Sequence, residues 1–160
     1  MMSSTALRLA AAVVVALSAL ASPLRAERRS SATFDARQIV ALTNESRRQA
    51  GLPPVAVDER LTAAAKAKLF DMLKQDYFAH RTPDGRQPWA FMQAAGYRFQ
   101  VAAENLARGY DDEPELQEAW MKSRGHRANI LNPQFTQIVV ADANGIVVVM
   151  FGRPAPSKRP

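Results

Sequence analysis

Apolar side chains recur at helical spacing through the first half of the chain. In "TFDARQIVALTNESRRQAGLPP", Phe34, Ile39, Val40 and Leu42 form an apolar side, and Asn44, Glu45, Arg47 and Arg48 form the wet one. Thr33 reads as its cap with Asp35 in the first turn, and Gly51 with the prolines after it reads as its end. "DERLTAAAKAKLFDMLKQDYF" predicts a second amphipathic helix that starts at a capping Asp58 and turns Leu61, Ala65, Leu69, Met72 and Leu73 inward. The polar stretch "AHRTPDGRQPW" holds a turn at Pro83-Asp84-Gly85, and a short helix is entered at Pro88 and left at Gly96. "VAAENLARGY" reads as an extended segment with one acid, Glu104, among apolar neighbours. Helical spacing returns in "DDEPELQEAWMKS", where Pro114 suits an early helical position, Asp112 or Glu113 faces the free amides, and Trp120 points to the core. "SRGHRANILNP" then sets His126 at a loop-to-helix junction before a short helical run.

Near the C-terminus the period changes. "FTQIVVADANGIVVVMFG" is β-branched and broken at Asp142 to Gly145, which predicts two antiparallel strands joined by a tight turn. Helices first and strands last, with no alternation of the two, indicate an α+β domain rather than a doubly wound sheet. The chain has 160 residues, room for one such domain. The expected organisation is a signal peptide over 1–26, a linker over 27–32, the domain over 33–152 and a disordered basic tail over 153–160.

The signal-peptide expectation comes from the n-region "MMSSTALR" and the apolar run "LAAAVVVALSAL", which is too short to span a bilayer. Small residues place the cleavage after Ala21 or Ala26. The mature protein is therefore expected to be secreted, extracellular or periplasmic, without a stable transmembrane anchor. The chain has no cysteine. That removes both disulfides and a lipid anchor on a processed cysteine, so the hydrophobic core alone must hold the fold. The net charge of +6 lies in the tails, at Arg8, Arg25, Arg28, Arg29, Lys158 and Arg159, and leaves a nearly neutral body. With no cluster of basic and aromatic residues in that body, nucleic acid is excluded as a partner.

Among the groups in the body able to hold a proton or a metal, three stand out: Glu104 in its apolar segment and the two histidines, His80 and His126. Their separations exceed any local metal motif, so spacing alone does not bring them together. Each also has a plainer reading. Glu104 would bond backbone in a tight turn, His80 would pin its loop, and His126 would cap a helix. The chain lacks a zinc-protease helix, a reactive cysteine and a G-x-S-x-G elbow, which argues against an enzyme.

"FAHRTPDG", "AENLA", "AW" with "SRGHRANILNP", and "FTQI" occur in the order found in the CAP superfamily, also called the SCP domain, and "ALTNESRRQAGLPPV" resembles its bacterial branch. The resemblance runs from Phe34 to about Gly152 and implies a three-layer α-β-α sandwich. It also implies a shallow cavity, which in eukaryotic members is lined by two histidines and two glutamates that can hold a divalent metal. His80 matches the first cavity histidine, and Glu104 matches the glutamate of "ENLA". The place of the second histidine is taken by Gln134 and that of the second glutamate by Ser123, while Glu118, two residues before Trp120, points away. The expected cavity is therefore His80, Glu104 and His126, with zinc as the candidate metal and the fourth ligand open. Family members are secreted or envelope proteins, several of which bind sterols or other lipids. The expectation that follows is a secreted binding module for lipid, sterol, a divalent metal or a cell-envelope component. A metal-dependent hydrolase and a cell-wall interaction protein stand as the alternatives.

Overall fold

Among the described residues, the apolar stripes become five helices packed on both faces of one sheet. The computed structural model describes residues 33–156, and the expected signal peptide, linker and last four tail residues lie outside them. In chain order the elements are α1 (Ala36–Gln49), β1 (Ala56–Val57), α2 (Glu59–Lys74), α3 (Pro88–Ala94), β2 (Phe99–Arg108), α4 (Glu113–Lys122), α5 (Arg124–Ile130), β3 (Gln137–Ala143) and β4 (Ile146–Pro154). The four strands lie in the order β1-β3-β4-β2. β1 runs parallel to β3, and the other neighbours are antiparallel. The two expected C-terminal strands and the extended segment at Glu104 are present, and β1 is an addition, since two residues carry no readable period.

β4 shows why the architecture has three layers. Ile146, Val148 and Met150 pack with Leu61, Leu69, Met72 and Met92 of α2 and α3. Val147, Val149 and Phe151 pack with Ile39, Leu116, Trp120 and Ile130 of α1, α4 and α5. A strand buried on both faces reads as an unbroken apolar run rather than an alternation, and that is how "IVVVMF" is written. β3 and β4 are joined by Asn144 and Gly145, both at positive φ (51° and 69°), the left-handed pair that a two-residue hairpin turn requires.

Four details differ from the sequence expectation. The cap of α1 is Asp35, whose carboxylate accepts from the Arg37 N–H at 2.8 Å, and Thr33 precedes it. Asn44 and Arg47, assigned to the wet side of that helix, instead face inward: Asn44 exchanges two hydrogen bonds with the Val55 backbone, and Arg47 is fully buried. β4 continues through Arg153 and Pro154, into the expected tail, and the Ala155 N–H donates to the Arg98 carbonyl. α5 already starts at Arg124, so His126 stands inside a helix and not at its entrance.

Gly152 marks a close approach between layers. A Cβ there would stand 2.5 Å from the hydroxyl oxygen of Tyr97, a buried ring fixed by its bond to Gln137 Oε1. Gly152→Ala is therefore expected to cost about 1–3 kcal/mol through overpacking. A lower urea midpoint with an unchanged slope is the result to look for; an unshifted midpoint would mean that the tyrosine moves freely.

Candidate functional site

His80 enters the site on a loop that a buried lysine holds in place. Lys68 lies in α2 and is fully buried; its ammonium donates to the Ala79 carbonyl (2.8 Å), the His80 carbonyl (2.9 Å) and the Tyr77 hydroxyl (3.1 Å). Three donors on three acceptors satisfy the head group completely. Burial lowers its pKa, while the fields of Glu104 and Asp71 act to keep the charge. The rest of the loop closes on Thr82, which is bonded to Asp84 and receives the Arg86 N–H at 2.8 Å, with Gly85 at φ 90° in the expected turn.

Glu104 comes from β2, on the face turned toward α2 and α3. Its side chain is 1% exposed, and His80, 57% exposed, donates from Nδ1 to Glu104 Oε1 at 2.8 Å. The other carboxylate oxygen, Oε2, is buried and meets no hydrogen-bond partner among the described residues. Desolvation raises the pKa of this group, opposed by the bond from His80 and by the nearby Lys68. The plainer reading of Glu104 as a backbone-bonding acid in a tight turn does not describe this environment.

His126 arrives from the other layer. It sits on α5, half-buried, with its ring centroid 6.2 Å from that of Trp120. Burial first, and the charge of His80 second, lower its pKa. A pair of asparagines seats its helix: Asn105 of β2 donates to the His126 carbonyl, and Asn129 donates to Asn105 Oδ1 at 2.8 Å and to the Glu104 carbonyl. Ser123 is the junction between α4 and α5, Gln134 is exposed, and Glu118 pairs with Lys122 away from the site.

A cleft of about 400 Å³ opens over the outer edge of β2, lined by His80, Gln87, Trp89, Ala103, Glu104 and Asn129 among others. It spans both helical layers, because Trp89 and His80 belong to the α2–α3 side and Asn129 to α5. The structure brings His80 and Glu104 together there, and His126 is not among its lining residues. Among the described residues, no three His, Cys, Asp or Glu side chains are grouped to hold a metal ion. Trp89, 39% exposed, and the amides of Gln87 and Asn129 went unread in the sequence. Pro88 had pointed only to a helix start, although the residues flanking it project into the cleft.

The sequence profile of the cysteine-rich secretory protein family (CAP) matches residues 40–146. The Bacillus subtilis protein YkwD is 42% identical over 111 residues, which is 69% of this chain and 43% of YkwD. Among solved structures, an extracellular protein containing an SCP domain from Bacillus anthracis aligns with a TM-score of 0.70 and 33% identity, covering 74% of this chain and 40% of that one. An outer surface protein from Borrelia burgdorferi shares the fold, with a TM-score of 0.68 at 20% identity over 78% of this chain and 99% of that one. The chain thus spans less than half the length of the B. subtilis and B. anthracis proteins. No helix among the described residues is long and apolar enough to cross a membrane.

Proposed function

The chain belongs to the cysteine-rich secretory protein (CAP) family, and from that premise we propose that it is an exported binding module whose His80–Glu104 cleft holds a saccharide of the cell envelope. The observation that carries the reading is Glu104 Oε2. A buried carboxylate oxygen without a partner costs free energy that a fold does not retain without compensation, and a ligand hydroxyl supplies the missing donor. The same cleft is lined by two amides, Gln87 and Asn129, and by the partly exposed Trp89. Together they suit a ring with hydroxyl groups at its edge and C–H bonds on its face. A sterol would need an enclosed apolar wall, whereas this cleft carries a carboxylate, an imidazole and two amides. Zinc on the expected triad has less support, since no three His, Cys, Asp or Glu side chains are grouped among the described residues. Export accords with relatives described as extracellular and outer-surface proteins.

The chain's two tryptophans make the test direct, since Trp120 is buried and Trp89 lines the cleft. Titration with tri-N-acetylchitotriose is expected to shift the Trp89 emission to the blue. Glu104→Gln and Trp89→Ala, both measured by titration calorimetry because the second variant lacks the reporting ring, should each weaken binding at least about tenfold, the scale of one buried hydrogen bond or one stacked ring. Separate titrations with zinc and with cholesterol vesicles probe the other ligand classes. No response to the sugar, or an equal response in both variants, would overturn the saccharide reading, and Glu104-dependent zinc binding would replace it.

A further inference from the structure

A second opening lies on the opposite side of the molecule, along β3. β1 covers only the start of that strand, pairing Ala56 with Gln137 and Val57 with Ile138. Ala143 and Ile146 flank a two-residue turn and therefore exchange both of their ladder bonds. Counting back along the alternation, Ala141 and Val139 also bond to β4, which turns the N–H and C=O groups of Val140 and Asp142 to the outer edge. No strand among the described residues stands beside them. Over this edge lies a groove of about 690 Å³ between α1 and α2, lined by Val40, Val57, Val139 and Val140 and flanked by Arg37 and Lys66. Val57 is 61% exposed, a large apolar side chain left in the open beside unpaired backbone. Arg37 and Lys66 are exposed and pair with no carboxylate among the described residues.

We propose that this edge is a docking site for an extended acidic peptide, which adds a strand beside β3 and places its carboxylates on Arg37 and Lys66. Strand addition draws affinity from backbone bonds and specificity from alternate side chains, and the groove offers both: open ladder groups at Val140 and Asp142, and an apolar trough with a cationic rim. Proteins normally blunt a free edge with charge or cover it, because unpaired ladder groups recruit other strands. Here the two cations flank the groove, and the one carboxylate on the open edge, Asp142, already accepts from the Phe34 N–H at 3.0 Å. A second copy of the chain paired edge to edge would bring four like charges together. The chain's own stretch before Thr33, with Arg28 and Arg29, carries the wrong sign as well.

The probe is fluorescein-labelled Glu-Val-Thr-Val-Glu with blocked ends, titrated into the full chain and read by anisotropy. Saturable binding is expected. It should weaken at least about tenfold when alternate peptide amides are N-methylated, when both glutamates become lysine, or when the protein carries Arg37→Glu with Lys66→Glu. Both sites are on the surface, so the melting temperature of that double variant should match wild type. In amide NMR spectra, the signals of Val140 and Asp142 should move with the peptide. The proposal fails if the peptide does not bind or if the N-methylated form binds equally. It also fails if the double variant binds unchanged, or if the chain forms a concentration-dependent dimer that the peptide does not dissociate.

Discussion

Arg47→Ala is expected to be the most damaging single substitution in the domain, lowering stability by about 3–5 kcal/mol. The guanidinium is fully buried and serves four carbonyls: Pro53 from Nε (2.9 Å), Ile130 and Asn132 from Nη1 (both 2.9 Å) and Phe135 from Nη2 (3.2 Å). Among the described residues no carboxylate pairs with it. Desolvation lowers its pKa, and the carbonyl oxygens at the end of α5 take the place of a counterion. Alanine would remove the charge together with every donor, orphan four oxygens and leave a void where α1, α5 and β3 meet. Against a total of about 5–15 kcal/mol for a typical domain, that is enough to depopulate the fold on mild heating. Arg47→Lys should also destabilise clearly, because an ammonium lacks the planar fork that reaches both ends of the set. Guanidinium unfolding of the three proteins measures both losses, and an alanine variant within about 1 kcal/mol of wild type would show that water takes over the role of the guanidinium.

The same residue shows where pattern reading stopped. Helical periodicity sorts side chains by polarity, so it sent Arg47 to solvent with Glu45 and Arg48, although Ile39, Thr43 and Arg47, four apart, mark the buried line. Thr43 and Arg47 are buried because distant segments supply partners: Gln117 from α4 faces Thr43, and the four carbonyls face Arg47. Lys68 is the parallel case on α2, on the same face as Leu61, Ala64, Ala65 and Met72. In both helices the buried cation serves carbonyls outside its own helix, on the following loop for Lys68 and mostly on the distant segment Ile130 to Phe135 for Arg47, and no helical spacing encodes that. β3 and β4 were legible because one tight turn and a continuous apolar run encode them locally. β1 was not, since its two residues are ordered only by the neighbour they meet.

Within the cleft, Glu104 stood out because an acid in an apolar, alanine-rich segment is an anomaly whatever its neighbours. His80 stood out as one of two histidines, and its loop carried a readable turn. That the two form a bonded pair came only from the fold, which packs α2 on β3 and β4 and brings the loop after it to β2. The asparagines Asn105 and Asn129 are as informative as the histidines: they clamp α5, the helix that carries His126, to β2. Asn105 directly follows the anomalous acid and is fully buried. A second polar residue in an apolar strand was the signal available for it.

Lys68→Met is expected to leave the fold nearly as stable while uncoupling the site. Methionine keeps most of the buried stem, and removing a charge whose pKa burial has already lowered offsets the loss of its three hydrogen bonds. The released carbonyls of Ala79 and His80 belong to exposed residues that water can reach. What should change is the site. The His80 loop loses its anchor, and Glu104 loses a positive field that opposes its raised pKa. The sign follows from which oxygen titrates. Oε1 is engaged by His80, so a proton added to Glu104 goes to Oε2 and removes the acceptor offered to the ligand. Saccharide binding in wild type should therefore be present when Glu104 is ionised and fall as pH drops through its raised pKa. In Lys68→Met that pKa rises further, so the binding midpoint should lie at higher pH than in wild type. In parallel, the protonated acid is the form that folding favours, so the Glu104 contribution to stability is full below about pH 4.3, the ordinary carboxylate value, and is lost as pH rises through the folded value. Trp89 emission titrated with tri-N-acetylchitotriose across the acid range, with thermal melts on the same samples, reads both effects. An unchanged binding midpoint in Lys68→Met would sever the lysine from the cleft, and a loss of more than about 3 kcal/mol would make it a structural residue first.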